Sequence, residues 1–341
     1  MTAVTTSAPK VVTPVARERD AGGATAAARL RSVLGMNLTP VPARPEFPAV
    51  DAPRLRLGPL GITVRVVVAI GILIVANLVP ALLSSLVILI PGAAEIFGGS
   101  SPWGFALAFV LQVLVLGTVV LGAWAWMRGV ERAPLRAAGW RVDRLSAAWL
   151  LLGVAVSAAS VFAVTALLPA TGPVRDEGAF TGEQTAPLMV ALLLAYYLGL
   201  AFVQQGIPEE LLFRGMLLWR LRERPVRAIS VTTLAFTAIH LVSNGGQQSA
   251  GERVIYLALP FGFALLAVGL LLWTGSLWAA VGVHGGFHVG TYLALGCLPE
   301  VGSVASWVAI GSVQSAIGLA LIVRAVRRGK RIPDGRATRA A

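Results

Sequence analysis

The residues whose types and spacing could do chemistry are few: Glu209, Glu210, Arg214 and the chain's only three histidines, His240, His284 and His288. A carboxylate and an imidazole held together can take a proton from water and aim the oxygen at a carbonyl, which is the chemistry of hydrolysis. Glu210 and Arg214 are four apart, so on a helix they share a face and can neutralise each other. Glu209 is turned about 100° from Glu210, which leaves its carboxylate free to face a cavity. His284 and His288 are also four apart and point one way, with Gly285 and Gly286 keeping that wall thin. Asn244, four beyond His240, reads as an outer support. Each feature has a plainer reading: two acids near the positive end of a helix, or a histidine bonding a neighbouring helix. All three histidines falling in one layer is what the plainer readings leave unexplained.

The elements that must position these residues are membrane helices. Of 341 residues, 56% are hydrophobic and 13% charged, and the mean hydropathy is +0.78, which excludes an ordinary soluble domain. A span needs roughly 20 apolar residues. Eight stretches qualify or nearly so: Val66–Ile90, Trp103–Met127, Ala147–Leu168, Pro187–Val203, Ala228–Val242, Val254–Leu272, Ser276–Gly296 and Ser303–Val323. The expected fold is therefore an all-α polytopic transmembrane bundle of about eight spans. Pro187 to Arg220 exceeds one crossing, so the fourth span must be long, tilted or broken. At a helical rise of 1.5 Å per residue, Glu209 lies about 16 Å from Arg220, and His240 about 20 Å from Arg227. His284 and His288 then lie about 12 and 18 Å beyond Ser276, at a comparable depth.

Charge sets the orientation. The alternation of loops puts 26 of the 28 Lys and Arg on one side, and only Arg175 and Arg253 on the other. The positive-inside rule then places both termini in the cytoplasm. The net charge of +12 flanks apolar runs and forms no single basic face, so nucleic acid is not an expected partner. One cysteine, Cys297, excludes an intramolecular disulfide and a Cys-based zinc cluster. Residues 1–60 lack a sustained apolar run and read as a disordered cytoplasmic tail, 61–325 as the helical domain, and 326–341 as a basic cytoplasmic tail. Trp103, Trp124, Trp126 and Trp149 sit near span ends, where indoles favour the interface.

Three motifs in order resemble the CAAX-protease and bacteriocin-processing family of intramembrane endopeptidases, which includes the type II CAAX prenyl proteases. Glu209, Glu210 and Arg214 match its Glu-Glu-x-x-x-Arg, and Phe236 with His240 match its Phe-x-x-x-His. His284 opens the third motif, His-x-x-x-Asn or Asp, whose last position is His288 here. The match runs from Tyr197 to Tyr292. The resemblance implies an endopeptidase in which Glu209 and His240 activate water, His284 and His288 stabilise the oxyanion, and the Glu210–Arg214 pair aims the helix. An imidazole at 288 can donate a hydrogen bond as an Asn amide does, and it adds a nitrogen ligand. Two mechanisms stay open: a zinc ion on Glu209, His240 and His284 with an open position for water, or a buried glutamate acting without metal.

The expected partners are the lipid bilayer and a protein or peptide substrate, and the expected location is a bacterial cytoplasmic membrane. The alternative to a hydrolase is a non-catalytic membrane adaptor or bacteriocin-immunity protein on the same fold. A proton-coupled transporter is a third reading, disfavoured by the compact cluster and the absence of an evident internal repeat.

Overall fold

The computed structural model describes residues 53–97, 101–168, 187–243, 245–298 and 304–333. By internal contacts the chain divides into Met1–Pro45 and Glu46–Ala341, and every helix named below belongs to the second unit. The tail expected over 1–60 therefore lies mostly outside the described residues, as does Asn244.

Eight long helices account for the fold: α1 (Pro59–Ile88), α2 (Pro102–Gly129), α3 (Ser146–Leu167), α4 (Pro187–Arg220), α5 (Pro225–Ile239), α6 (Ala258–Thr274), α7 (Leu277–Cys297) and α8 (Val304–Arg327). No strand occurs among the described residues. Four of the eight open on proline, whose missing N–H costs nothing in a first turn. Seven are long and apolar enough to cross a membrane. The eighth expected crossing, α7, has the length but not the apolarity, because it carries His284, His288 and five glycines. That shortfall has a structural counterpart. Much of α7 is buried against protein rather than turned to lipid.

The helices approach through glycine. On α7, Gly282, Gly286 and Gly290 repeat every four residues and lie on α3: a Cβ at Gly286 would stand 2.6 Å from Val154 backbone, and one at Gly290 would stand 2.8 Å from Ala158 backbone. Small residues at this spacing let two backbones touch, the packing that membrane helices use where lipid offers no hydrophobic drive. On the other side of the bundle, Gly262 and Gly269 of α6 meet Gly311 and Gly318 of α8. α6 is the innermost helix, with 67% of its most apolar window buried. Gly275, at φ 73°, closes α6 by donating to Leu271 O at 2.8 Å. Ser276 then caps α7, so α6 and α7 form a tight hairpin.

One end of the bundle is locked by charge. Arg65 of α1 and Glu131 after α2 are both buried, with Arg65 Nε 2.6 Å from Glu131 Oε1. Arg220, at the end of α4, places Nε 2.8 Å from Glu131 Oε2, and Trp126 Nε1 donates to Glu131 Oε1. Arg65 also donates to Gly61 O and Leu55 O, each at 2.8 Å. Arg65 and Arg220, expected as orientation-setting charges beyond the spans, are thus built into the fold, and α1 begins seven residues before the expected Val66.

Candidate active site

α4 carries the acids on an uneven helix. Two stretches, Gly199–Gly206 and Leu211–Leu217, are widened to i→i+5 bonding and flank the four α-helical residues Ile207–Glu210. Widened turns are uncommon and occur mostly at functional sites. The sequence permits them locally. A Cβ at Gly199 would collide with the Gln112 side chain, and one at Gly206 would stand 2.7 Å from Ala201 O. Buried Gln112 donates from Nε2 to Tyr196 O at 3.3 Å, three residues before the first widened stretch begins.

Glu210 is fully buried, and its Oε1 is shared. Arg214 Nη1 donates to it at 2.9 Å, and His284 Nδ1 lies 3.3 Å from it. An oxygen already facing a guanidinium acts as an acceptor, so the His284 Nδ1 carries the proton and its Nε2 presents a lone pair. The pairing expected from the i, i+4 spacing is present, and the bond from His284 is an addition to it. Arg214 also lies over the Phe236 ring, 4.2 Å from its centroid.

Phe236 is the hub around which the histidines stand. Its ring centroid lies 4.7 Å from that of His240 and 6.2 Å from that of His284. His240 closes α5, with Nδ1 2.8 Å from Phe236 O. A carbonyl only accepts, so Nδ1–H is the donor and Nε2 is again the exposed lone pair. His284 and His288 are stacked 5.5 Å apart, and Phe263 of α6 packs edge-on to His284 at 4.8 Å. On α7 the histidines are two residues on from the glycine stripe, about 200° round the helix, so one face grips α3 while the other bears the imidazoles. The thin wall expected from two glycines divides its labour: Gly286 faces α3, and Gly285 lies under the Phe202 ring of α4.

Glu209 is half-buried, and its Oε2 is enclosed with no hydrogen-bond partner among the described residues. It is within electrostatic reach of Glu210, Arg214 and Tyr256. His240 is likewise within reach of His284 and His288. Glu210, Arg214, His284 and His288 are thus joined by direct contacts, His240 meets them through the Phe236 ring, and Glu209 adjoins Glu210 on α4.

Residues 190–290 match the family model described as type II CAAX prenyl endopeptidase Rce1-like. This stretch is an Rce1-like domain. The family is one of proteases, which supports a peptidase, and seven apolar helices of spanning length indicate an integral membrane protein. No curated protein matches the chain. The Rce1-like segment begins in the first turns of α4 and ends within α7, so it holds every one of the six site residues.

Among the described residues, no three of His, Cys, Asp and Glu are grouped so as to hold a metal ion. The zinc set expected from Glu209, His240 and His284 is not assembled as these side chains stand. His284 and His240 each hold Nδ1–H in a hydrogen bond and keep Nε2 free as a ligand nitrogen, so what the set lacks is the convergence of these nitrogens with Glu209.

One residue near the Rce1-like site was missed by sequence reasoning. Tyr256 ends the short helix Ala250–Tyr256 before α6, packs edge-on to Trp307 at 5.3 Å, and lies over Gly245. No motif or spacing marks it; only the fold carries it to within reach of Glu209.

Proposed function

We propose that the protein hydrolyses a peptide bond in a membrane-associated protein or peptide, with water activated by Glu209 and His240 and without a metal. The single observation that carries this reading is the enclosed, unpartnered Glu209 Oε2, next on α4 to the Glu210 that binds Arg214 and His284; His240, whose tautomer the Phe236 carbonyl fixes, supplies the imidazole. A buried carboxylate oxygen with no protein partner requires something to bond, and water is the smallest group able to do so. Glu209 takes one proton as the water oxygen attacks the carbonyl carbon. His240 Nε2 accepts a hydrogen bond from the other and orients the attack. Collapse of the tetrahedral intermediate breaks the C–N bond, and the proton held by Glu209 passes to the departing amine. The products are a carboxylate and an amine.

His284 and His288 serve the developing oxyanion. His284 has committed Nδ1–H to Glu210, so it can donate from Nε2 only as the imidazolium, with its charge beside the Glu210 carboxylate. His288 has no such commitment, and as a neutral ring it can donate from one nitrogen. The Glu210–Arg214 pair thus supports a histidine as well as fixing the helix. The segregation of Lys and Arg supports an orientation with both termini in the cytoplasm, in which the site would be within reach of substrates from that side.

The test is to reconstitute the purified protein in liposomes and follow cleavage of a membrane-anchored peptide library by mass spectrometry. New termini with the wild type, and none with Glu209→Gln or His240→Ala of unchanged melting temperature, are expected. Undiminished cleavage by Glu209→Gln would overturn the mechanism. A cellular function retained by both variants would favour an adaptor on this fold.

A further inference from the structure

Within the bundle, buried Arg65 and half-buried Arg220 meet Glu131, and buried Arg214 meets Glu210. Arg324, Arg327 and Arg328, at the end of α8, are exposed and pair with no acid among the described residues. Two of the three contact an aromatic ring. The guanidinium carbons of Arg324 and Arg328 lie 5.4 and 5.2 Å from the centroid of the Trp273 ring, at the end of α6. With Leu319, Ala320 and Val323, the three arginines line a groove of about 560 Å³.

The groove is graded along the helix. Ala320, Val323, Arg324 and Arg327 follow the i, i+3, i+4, i+7 pattern of a single face. The turns toward the bundle interior are apolar, and Leu319 is 49% exposed. The last turn is cationic. A soluble anion would use the guanidinium groups and leave the apolar floor bare, and an apolar chain alone would leave three charges unanswered. One molecule with a phosphate at one end and hydrocarbon at the other answers both. Arginine matches phosphate oxygens with its planar fork, and basic clusters at span ends attract anionic lipid headgroups. Trp273 stands where an indole marks the headgroup level.

We propose that this groove binds an anionic glycerophospholipid, its phosphate among Arg324, Arg327 and Arg328 and an acyl chain along Leu319, Ala320 and Val323. The site lies on α8 and does not depend on the peptidase chemistry.

Native mass spectrometry of the full chain in detergent, titrated with phosphatidylglycerol and with phosphatidylcholine, tests it. The wild type should bind phosphatidylglycerol at least about tenfold more tightly than phosphatidylcholine, and each arginine removed should weaken that binding roughly fivefold. Arg327→Gln alone leaves both Trp273 contacts in place, so its loss of binding can be read without disturbing them. A triple change elsewhere, R136Q/R141Q/R144Q, should leave binding unaltered and so separates the groove from net charge. Equal affinity for the two lipids, or full binding by R324Q/R327Q/R328Q, would overturn the proposal. So would displacement by inorganic phosphate or by a polyglutamate peptide, which would assign the groove to a soluble anion or an acidic protein segment.

Discussion

Glu210 Oε1 is held by Arg214 Nη1 at 2.9 Å and by His284 Nδ1 at 3.3 Å, so one buried oxygen links the fold's innermost charge pair to a histidine of the site. Stability and chemistry therefore meet at a single carboxylate, and they can be separated by substitution.

Glu210→Gln leaves the Arg214 guanidinium buried without its counter-charge. Removing one partner of such a pair costs about 3–5 kcal/mol. A matched apolar replacement of both, Glu210→Leu with Arg214→Met, should recover most of that loss, since isolated buried pairs contribute little over packed hydrocarbon. Peptide cleavage should not recover with it, because His284 has lost the acceptor that sets its tautomer. Melting curves beside cleavage rates check this; joint recovery of both would reduce Glu210 to a structural charge.

His240 offers a finer test. His240→Asn can keep the hydrogen bond to Phe236 O through its amide, but it places no lone pair where Nε2 stands. The melting temperature should stay close to wild type while turnover falls by about 10²–10⁴. A variant that cleaved normally would show that the backbone contact, and not the free ring nitrogen, is what the site needs.

Position 288 separates hydrogen bonding from ring stacking. His288→Asn restores the residue that the resembled family carries there and keeps a donor, so turnover should stay within about tenfold of wild type. His288→Ala removes the donor, and the rate should fall by about 10²–10³, the usual effect of losing one oxyanion contact. Equal loss in both variants would instead assign importance to the stack on His284.

Much of this arrangement was legible in the chain. α3 and α7 fall within one residue of the spans expected from hydropathy, and the Glu210–Arg214 pair follows from spacing alone. What stayed hidden depends on tertiary approach. Glu131 shows nothing in its neighbourhood to say that it will bind arginines 66 residues before it and 89 after it. Nor does periodicity reveal the widened turns of α4, close to which Gln112 from another helix bonds the Tyr196 carbonyl. The apolarity that finds spans also undercounts α7, because the residues that build the site are polar and small.

Metal dependence can be decided directly. With no three-donor group among the described residues, purified protein should keep its cleavage rate after 1,10-phenanthroline and dialysis, and metal analysis should return well under one equivalent of zinc. Stoichiometric zinc, with activity lost on its removal and restored on its return, would mean that Glu209, His240 and His284 rearrange to bind it.

The glycine stripe of α7 gives the last test, because it predicts an effect on the histidines from a change on the opposite face. A Cβ at Gly282 would collide with Leu150 O, and Gly153 Cα stands 3.0 Å away, so neither helix can yield without moving its backbone. Gly282→Val should therefore push α7 off α3 and cost at least about 1–3 kcal/mol, the range for overpacking a filled interior. The same displacement carries His284 from Glu210, so surviving protein should cleave poorly. Gly117 of α2 has nothing within 4 Å of such a Cβ, and Gly117→Ala should be neutral or stabilise by up to about 1 kcal/mol through helix propensity. Melting curves of the two variants distinguish close approach from a general intolerance of substitution in membrane helices. A harmless Gly282→Val would mean that α3 and α7 do not meet backbone to backbone, and that the histidine face is positioned from elsewhere.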